Sequence, residues 1–97
     1  MSHRRDEVLI EHRDAIRRAA SHHKAVSIAL IGSVARGDDT SGSDYDFLAR
    51  FAKGASLFDL AGLKLALQDL LGRDVDVISV GSLNEKHRSM VDEAIAL

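Results

Sequence analysis

Two aspartates separated by one residue, Asp44 and Asp46, are the side chains in this sequence best spaced to handle charge. They lie in a segment that reads as a strand, where side chains alternate, so both carboxylates point to one side. Adjacent carboxylates repel and raise one another's pKa unless a cation sits between them. A pair of divalent magnesium ions uses this geometry, with carboxylates on one side and phosphate oxygens on the other. Taken alone, the pair is equally well explained as the wet face of a strand. Asp is nevertheless depleted in strands, and a glycine-containing loop lies next to this one.

Gly32-Ser33 directly follows a short apolar run and precedes a helical turn, Val34 to Arg36. Glycine lets backbone come close to a ligand, and amides at a helix start attract phosphate. The Ser33 hydroxyl can add a hydrogen bond to a phosphate oxygen. By itself, Gly-Ser is far more often an ordinary turn. Farther along the chain, Asp74 and Asp76 share a strand face, so phase does not separate them. Asp76 is flanked by Val75 and Val77 inside an apolar run and needs a stronger reason to be there. It is the candidate third acid, as metal ligand or general base, and Asp74 reads as a solvated strand end.

The elements that must position these groups follow from hydrophobic spacing. Val8, Leu9, Ala15, Ile16, Ala19 and Ala20 predict one helix over 4–23, with Arg13, Arg17 and Arg18 largely on its solvent side. Residues 25–31 read as a buried strand, 37–43 as a polar loop and 44–51 as a second strand with Tyr45 and Phe47 inward. A leucine-rich core helix is expected over 56–71, capped by Ser56 and Asp59 and stopped by Gly72. A third strand, 74–80, precedes a last helix opened by Ser82 and Glu85, with Leu83, Met90, Val91, Ala94 and Ile95 inward. The fold class is α/β (α+β): three strands in a mixed sheet covered by helices, in a single domain. The short connection between the first two strands favours an antiparallel pair.

Composition narrows the functions. At 97 residues, 45% apolar and 29% charged, the chain has the balance of an ordinary globular protein. A net charge of −2 lacks the basic excess of a general nucleic-acid binder, so nucleic acid is not expected as a direct partner. The absence of cysteine excludes disulfides, thiolate catalysis and cysteine zinc sites. No apolar run approaches the roughly 20 residues of a membrane span, and no secretory signal is visible, so a cytoplasmic protein is expected. The histidines read as structural: His22-His23 as a solvated helix end, His3 near the terminus, His12 and His87 in phase with apolar stripes.

Taken together, Gly32-Ser33, ten intervening residues and Asp44-x-Asp46, with Ala35-Arg36-Gly37 and Ser43 between them, resemble the signature of the DNA polymerase β-type nucleotidyltransferase superfamily. More narrowly, GSVARG…SDYDF followed by VDVIS is similar to the minimal nucleotidyltransferases known as MntA-type antitoxins. That resemblance implies a polymerase β-like fold in which Gly32 and Ser33 bind the triphosphate of ATP. Asp44 and Asp46 would hold two Mg²⁺ ions, and Asp76 would complete the site and help deprotonate the acceptor hydroxyl. Arg36 supports the loop or contacts phosphate on this reading; an outward, salt-bridging arginine is the alternative. Larger members of the superfamily carry further acceptor-binding domains. The bare domain therefore implies an acceptor supplied by a partner chain, a HEPN-domain toxin that receives AMP on a tyrosine within a hetero-oligomer. Two other readings are a non-catalytic module that blocks a toxin by docking alone, and a transferase acting on a small molecule or RNA.

Overall fold

The structure, a computed structural model, describes residues 3–40, 42–80 and 93–97. The chain runs through α1 (His3–Asp6), a π-helical turn (Glu7–Glu11), α2 (Arg13–His22), β1 (Ala25–Ile31), α3 (Gly32–Arg36), β2 (Tyr45–Phe51), α4 (Leu57–Leu71), β3 (Val75–Ser79) and β4 (Ile95–Ala96). The strands form one mixed sheet in the order β3-β2-β1-β4. β1 is antiparallel to both β2 and β4, while β2 and β3 are parallel. The antiparallel first pair matches the expectation from the short connection, and a parallel second pair is what a crossover helix such as α4 requires.

The expected α/β class therefore holds, with one strand more than the three expected. Ala94 and Ile95 were expected on the inward face of a last helix, yet Ile95–Ala96 pairs with Leu30 and Ala29 at the free side of β1. A two-residue strand is too short for a periodic signal. It forms because β1 offers an open row of amides and carbonyls, and the Leu97 amide donates to the Ile28 carbonyl at 3.0 Å. The remainder of that expected helix, including Ser82, Leu83, Glu85, His87, Met90 and Val91, lies outside the described residues.

The helix expected over 4–23 is broken at His12. The reason is angular. At 3.6 residues per turn, an uninterrupted α-helix would place Val8 about 80° around from Ile16. The wider π turn absorbs one residue and brings Val8 back into line. Val8 and Ile16 are both fully buried, with Ala20 beside them.

Between the sheet and the helices lies an apolar core that includes Leu30, Val34, Phe47, Ala49, Leu63, Leu67 and Val77. Tyr45 and Phe47 are buried in it with nearly parallel rings 6.4 Å apart, so both are core residues as expected. α4 departs from expectation. Only Leu63 and Leu67 are fully buried, whereas Leu57, Phe58 and Leu65 are exposed, because the sheet and α2 cover only one side of the helix. His23 is half-buried rather than solvated. A Cβ at position 62 would lie 2.7 Å from its imidazole ring, so Gly62 leaves room for that ring against α4. No helix among the described residues is long and apolar enough to cross a membrane.

The expected cap of α4 is present. The Ser56 hydroxyl accepts from the Phe58 amide at 3.2 Å, and the Asp59 carboxylate accepts from the Ser56 amide at 2.9 Å. Ser56→Ala should therefore cost about 1 kcal/mol, a fall in Tm of roughly 4–8 °C for a chain of this size, measured by thermal unfolding.

Candidate active site

Asp46 sits near the start of β2, where the ladder pairs it with Ile31 on β1 and with Asp76 on β3. Asp76 is therefore one strand away, about 4.8 Å at the backbone, on a neighbour whose side chain stands on the same face. Asp44, immediately before β2, is exposed, as is Asp76, while Asp46 is half-buried. The Tyr45 amide donates to the Asp74 carbonyl at 3.2 Å, which fixes the start of β2 against the start of β3. The Asp74 side chain is exposed at that strand end.

Directly after Ile31 comes Gly32, with φ of +76°, a conformation that side-chain-bearing residues rarely adopt. A Cβ built on Gly32 would stand only 2.5 Å from Asp46 Oδ2. Glycine is thus required twice over, for its backbone angle and for the space the carboxylate occupies. Ser33, half-buried, opens the first turn of α3 beside it. The amides of such a first turn have no partners within the helix. The structure therefore brings the glycine–serine corner, Asp46 and Asp76 together in three adjacent segments, with Asp44 at the lip.

The electrostatics follow. The carboxyl of Asp46 is pushed above its ordinary pKa, first by burial, then by the charges of Asp76 and Asp44, with Arg36 partly offsetting them. Arg36 itself is exposed and bonded to Asp38 and Glu93, at 3.1 Å in each case. Its guanidinium is raised further above its usual value by those two hydrogen bonds. This is the salt-bridged arrangement weighed from the sequence.

The carboxylate oxygens of Asp44, Asp46 and Asp76 are hard donors of the kind magnesium takes, and the charges of Asp44 and Asp76 bear on Asp46. Among the described residues no three His, Cys, Asp or Glu side chains close up enough to hold an ion unaided. Magnesium seldom needs such a cage, because it keeps waters and shares one or two carboxylates with substrate phosphates. Asp44 also lines an open, polar groove of about 550 Å³ with Gly42, Gln68, Gly72, Arg73 and Asp74. A groove of similar size, about 590 Å³, runs between α2 and β1 past Arg17, Lys24 and Val26, and contains none of the three acids.

Sequence reasoning missed the N-terminal brace. The Arg4 guanidinium donates to the Ser43 carbonyl at 2.6 Å, lies 3.8 Å from Asp39 and sits 6.0 Å from the centre of the Tyr45 ring. The Tyr45 hydroxyl in turn donates to Glu7 at 3.4 Å. α1 and the π turn therefore hold the loop that leads into Asp44. No local pattern announces a contact between residues 39 positions apart.

Comparison with known proteins identifies the family. The nucleotidyltransferase domain family matches residues 9–97. A relative in Methanocaldococcus jannaschii, named as a candidate protein adenylyltransferase, is 39% identical over 62 residues, covering 64% of this chain and 67% of that protein. A solved structure described as a candidate minimal nucleotidyltransferase is 42% identical, covers 94% of each chain and superposes with a TM-score of 0.82. A solved toxin–antitoxin complex with AMP-PNP shares the fold at a TM-score of 0.72 and 22% identity, over 86% of this chain and 69% of that one. Taken with the acidic strand face and the glycine–serine corner it surrounds, these matches establish that the chain belongs to the nucleotidyltransferase domain family and is an enzyme of that type.

Proposed function

We propose that this chain transfers AMP from ATP to a hydroxyl of a protein, with Asp44, Asp46 and Asp76 as its acidic centre. The observation that carries the reading is the register of Asp46 against Asp76 with Gly32 pressed onto the Asp46 carboxylate. In this reading Ser33 and the first amides of α3 bind the phosphate tail, while Asp44 and Asp46 hold two magnesium ions. Those ions, when bound, neutralise charge on the phosphate oxygens and lower the acceptor's pKa. Asp76 accepts the hydroxyl proton as the acceptor oxygen bonds to the α-phosphorus. The bond from that phosphorus to the bridging oxygen breaks in line, and pyrophosphate leaves. Arg36, anchored by Asp38 and Glu93, supports the loop and tempers the charge on Asp46. Positioning and charge do the catalysis, so the protein need form no covalent bond.

Protein as acceptor is supported by the name of the archaeal relative and by what solved complexes of this fold contain. One is a toxin–antitoxin pair with AMP-PNP, and another holds a tri-AMPylated HEPN toxin from Shewanella oneidensis beside its MNT antitoxin. By that analogy the partner is a HEPN-type toxin, the modified group a tyrosine, and the working form a hetero-oligomer. The test is incubation with α-labelled ATP, Mg²⁺ and the product of the neighbouring gene. Label is expected on that product, and none when Asp44 and Asp46 are both asparagine. An unlabelled partner that is still neutralised by the double variant would instead make the chain a docking module.

A further inference from the structure

α4 carries leucines on most of its circumference, with Asp59, Lys64, Gln68 and Asp69 between them, and the described residues bury one side of it. Leu63 and Leu67 are fully buried, while Leu57, Phe58 and Leu65 are 80%, 89% and 65% exposed. Large apolar side chains exposed side by side mark an interaction surface. The spacing along the outward side of α4 is informative. Phe58, Ala61, Leu65, Gln68 and Gly72 succeed one another by three, four, three and four residues, a straight stripe along one helix face. Its first three members are exposed, and its last two, Gln68 and Gly72, line the polar groove that contains Asp44. The stripe is about 20 Å long at 1.5 Å per residue. An apolar surface therefore leads to the groove beside Asp44, at the lip of the acidic centre, which Asp46 and Asp76 do not line.

We infer that the outward stripe of α4 is the docking surface for the protein acceptor, which lies along the helix and passes over the groove beside Asp44 towards the acidic centre. This rests on the reading of the chain as a protein adenylyltransferase. Two considerations select that occupant. The exposed parts of Leu57, Phe58 and Leu65 amount to roughly 400 Å², about half of the ~800 Å² each partner contributes to a standard interface. A second copy paired through the stripe alone would fall short of a stable dimer, whereas an acceptor that runs on over the groove and the acidic centre adds to that area. The surface also has the anatomy of a protein interface, an apolar centre continued by polar groups from Gln68 and Arg73. The groove contains no aromatic side chain on which a nucleobase could stack, which disfavours RNA as the occupant.

The experiment uses α-labelled ATP, Mg²⁺ and a protein extract of the source cells as acceptor pool. The native chain is compared with Phe58→Glu/Leu65→Glu, with Ala61→Arg, and with Val26→Glu, an exposed apolar position away from α4. The expected result is label on a discrete protein with the native chain and Val26→Glu. At least a tenfold loss is expected with the two α4 variants, while their Mg²⁺-dependent binding of a fluorescent ATP analogue and their thermal unfolding stay as in the native chain. Ala61→Arg leaves all three large apolar residues in place, so it reports docking even if the double variant folds poorly. Labelling by the α4 variants at the native rate overturns the inference and leaves the adenylyltransferase reading intact. So does a native dimer that these substitutions split without affecting labelling, which makes the occupant a second copy. A native chain that labels no protein, although it binds the analogue, overturns the reading and the inference together.

Discussion

Asp46→Asn should abolish nucleotidyl transfer, by about 10³-fold or more, or ~4 kcal/mol of transition-state stabilisation, while leaving the fold as stable as before or more so. The two effects have one cause. Asp46 is half-buried between Asp76 and Asp44, and burial and repulsion raise its pKa above the ordinary carboxylate value. A group whose pKa is higher folded than unfolded binds more protons in the native state, so its contribution to stability falls as pH rises through that interval. Above it, the ionised carboxylate is a constant burden on the fold, which the neutral amide removes. The Tm of Asp46→Asn should exceed that of the native chain at neutral pH, and the difference should shrink as the medium is acidified towards and below the ordinary carboxylate pKa. Mg²⁺ with a nonhydrolysable ATP analogue should stabilise the native chain more than the variant, since a cation relieves in one what the substitution has already removed in the other. Thermal unfolding across pH, with and without the metal and analogue, together with a transfer assay, checks all three. Native-level transfer by Asp46→Asn would remove Asp46 from the chemistry.

The second large effect belongs to Gly32→Ala. At φ of +76° an L-residue costs about 1–2 kcal/mol, before the new methyl meets Asp46 Oδ2 at 2.5 Å. The strand pairing of Ile31 with Asp46 leaves neither backbone free to retreat, so the Asp46 carboxylate must turn away. A loss of about 2 kcal/mol or more is expected, with a fall in Tm of roughly 10 °C and a drop in transfer of at least about 100-fold. The double variant Gly32→Ala/Asp46→Asn should lose at least as much stability as the sum of the two single changes predicts, because a side chain already turned out by the Gly32 methyl has less burial for the asparagine to relieve. A Gly32→Ala chain with native Tm and native transfer rate would show that this close approach has no role.

Much of the candidate site was legible because its signals are local. Asp44 and Asp46 share a side through the alternation of a strand, Gly32-Ser33 ends an apolar run, and Asp76 is an acid embedded among valines. The α4 cap was legible for the same reason, since Ser56 and Asp59 are three residues apart and need nothing else to find each other. What escaped was whatever depends on a distant partner. The Arg4 brace on Ser43, the imidazole of His23 over Gly62 and the short β4 against β1 each join segments with no shared periodicity. The leucines of α4 misled for a related reason. Composition shows that a helix is apolar, but which of its sides is covered depends on how many neighbours the fold supplies.

Residue types and spacing by themselves determined the order of the principal elements, the acidic pair, the glycine–serine corner and the family resemblance, all of which rest on interactions within a few residues of chain. Tertiary structure alone decided that Asp76 stands in register with Asp46, that a π turn rotates Val8 into the core, that Arg36 is engaged by Asp38 and Glu93, and that one apolar side of α4 faces outward. The physical reason is that strand register and helix burial are set by the packing of whole elements, where hydrophobic contact is non-directional and many partners compete. A cap, a turn or a strand's alternation is instead set by bonds that the local chain closes on itself.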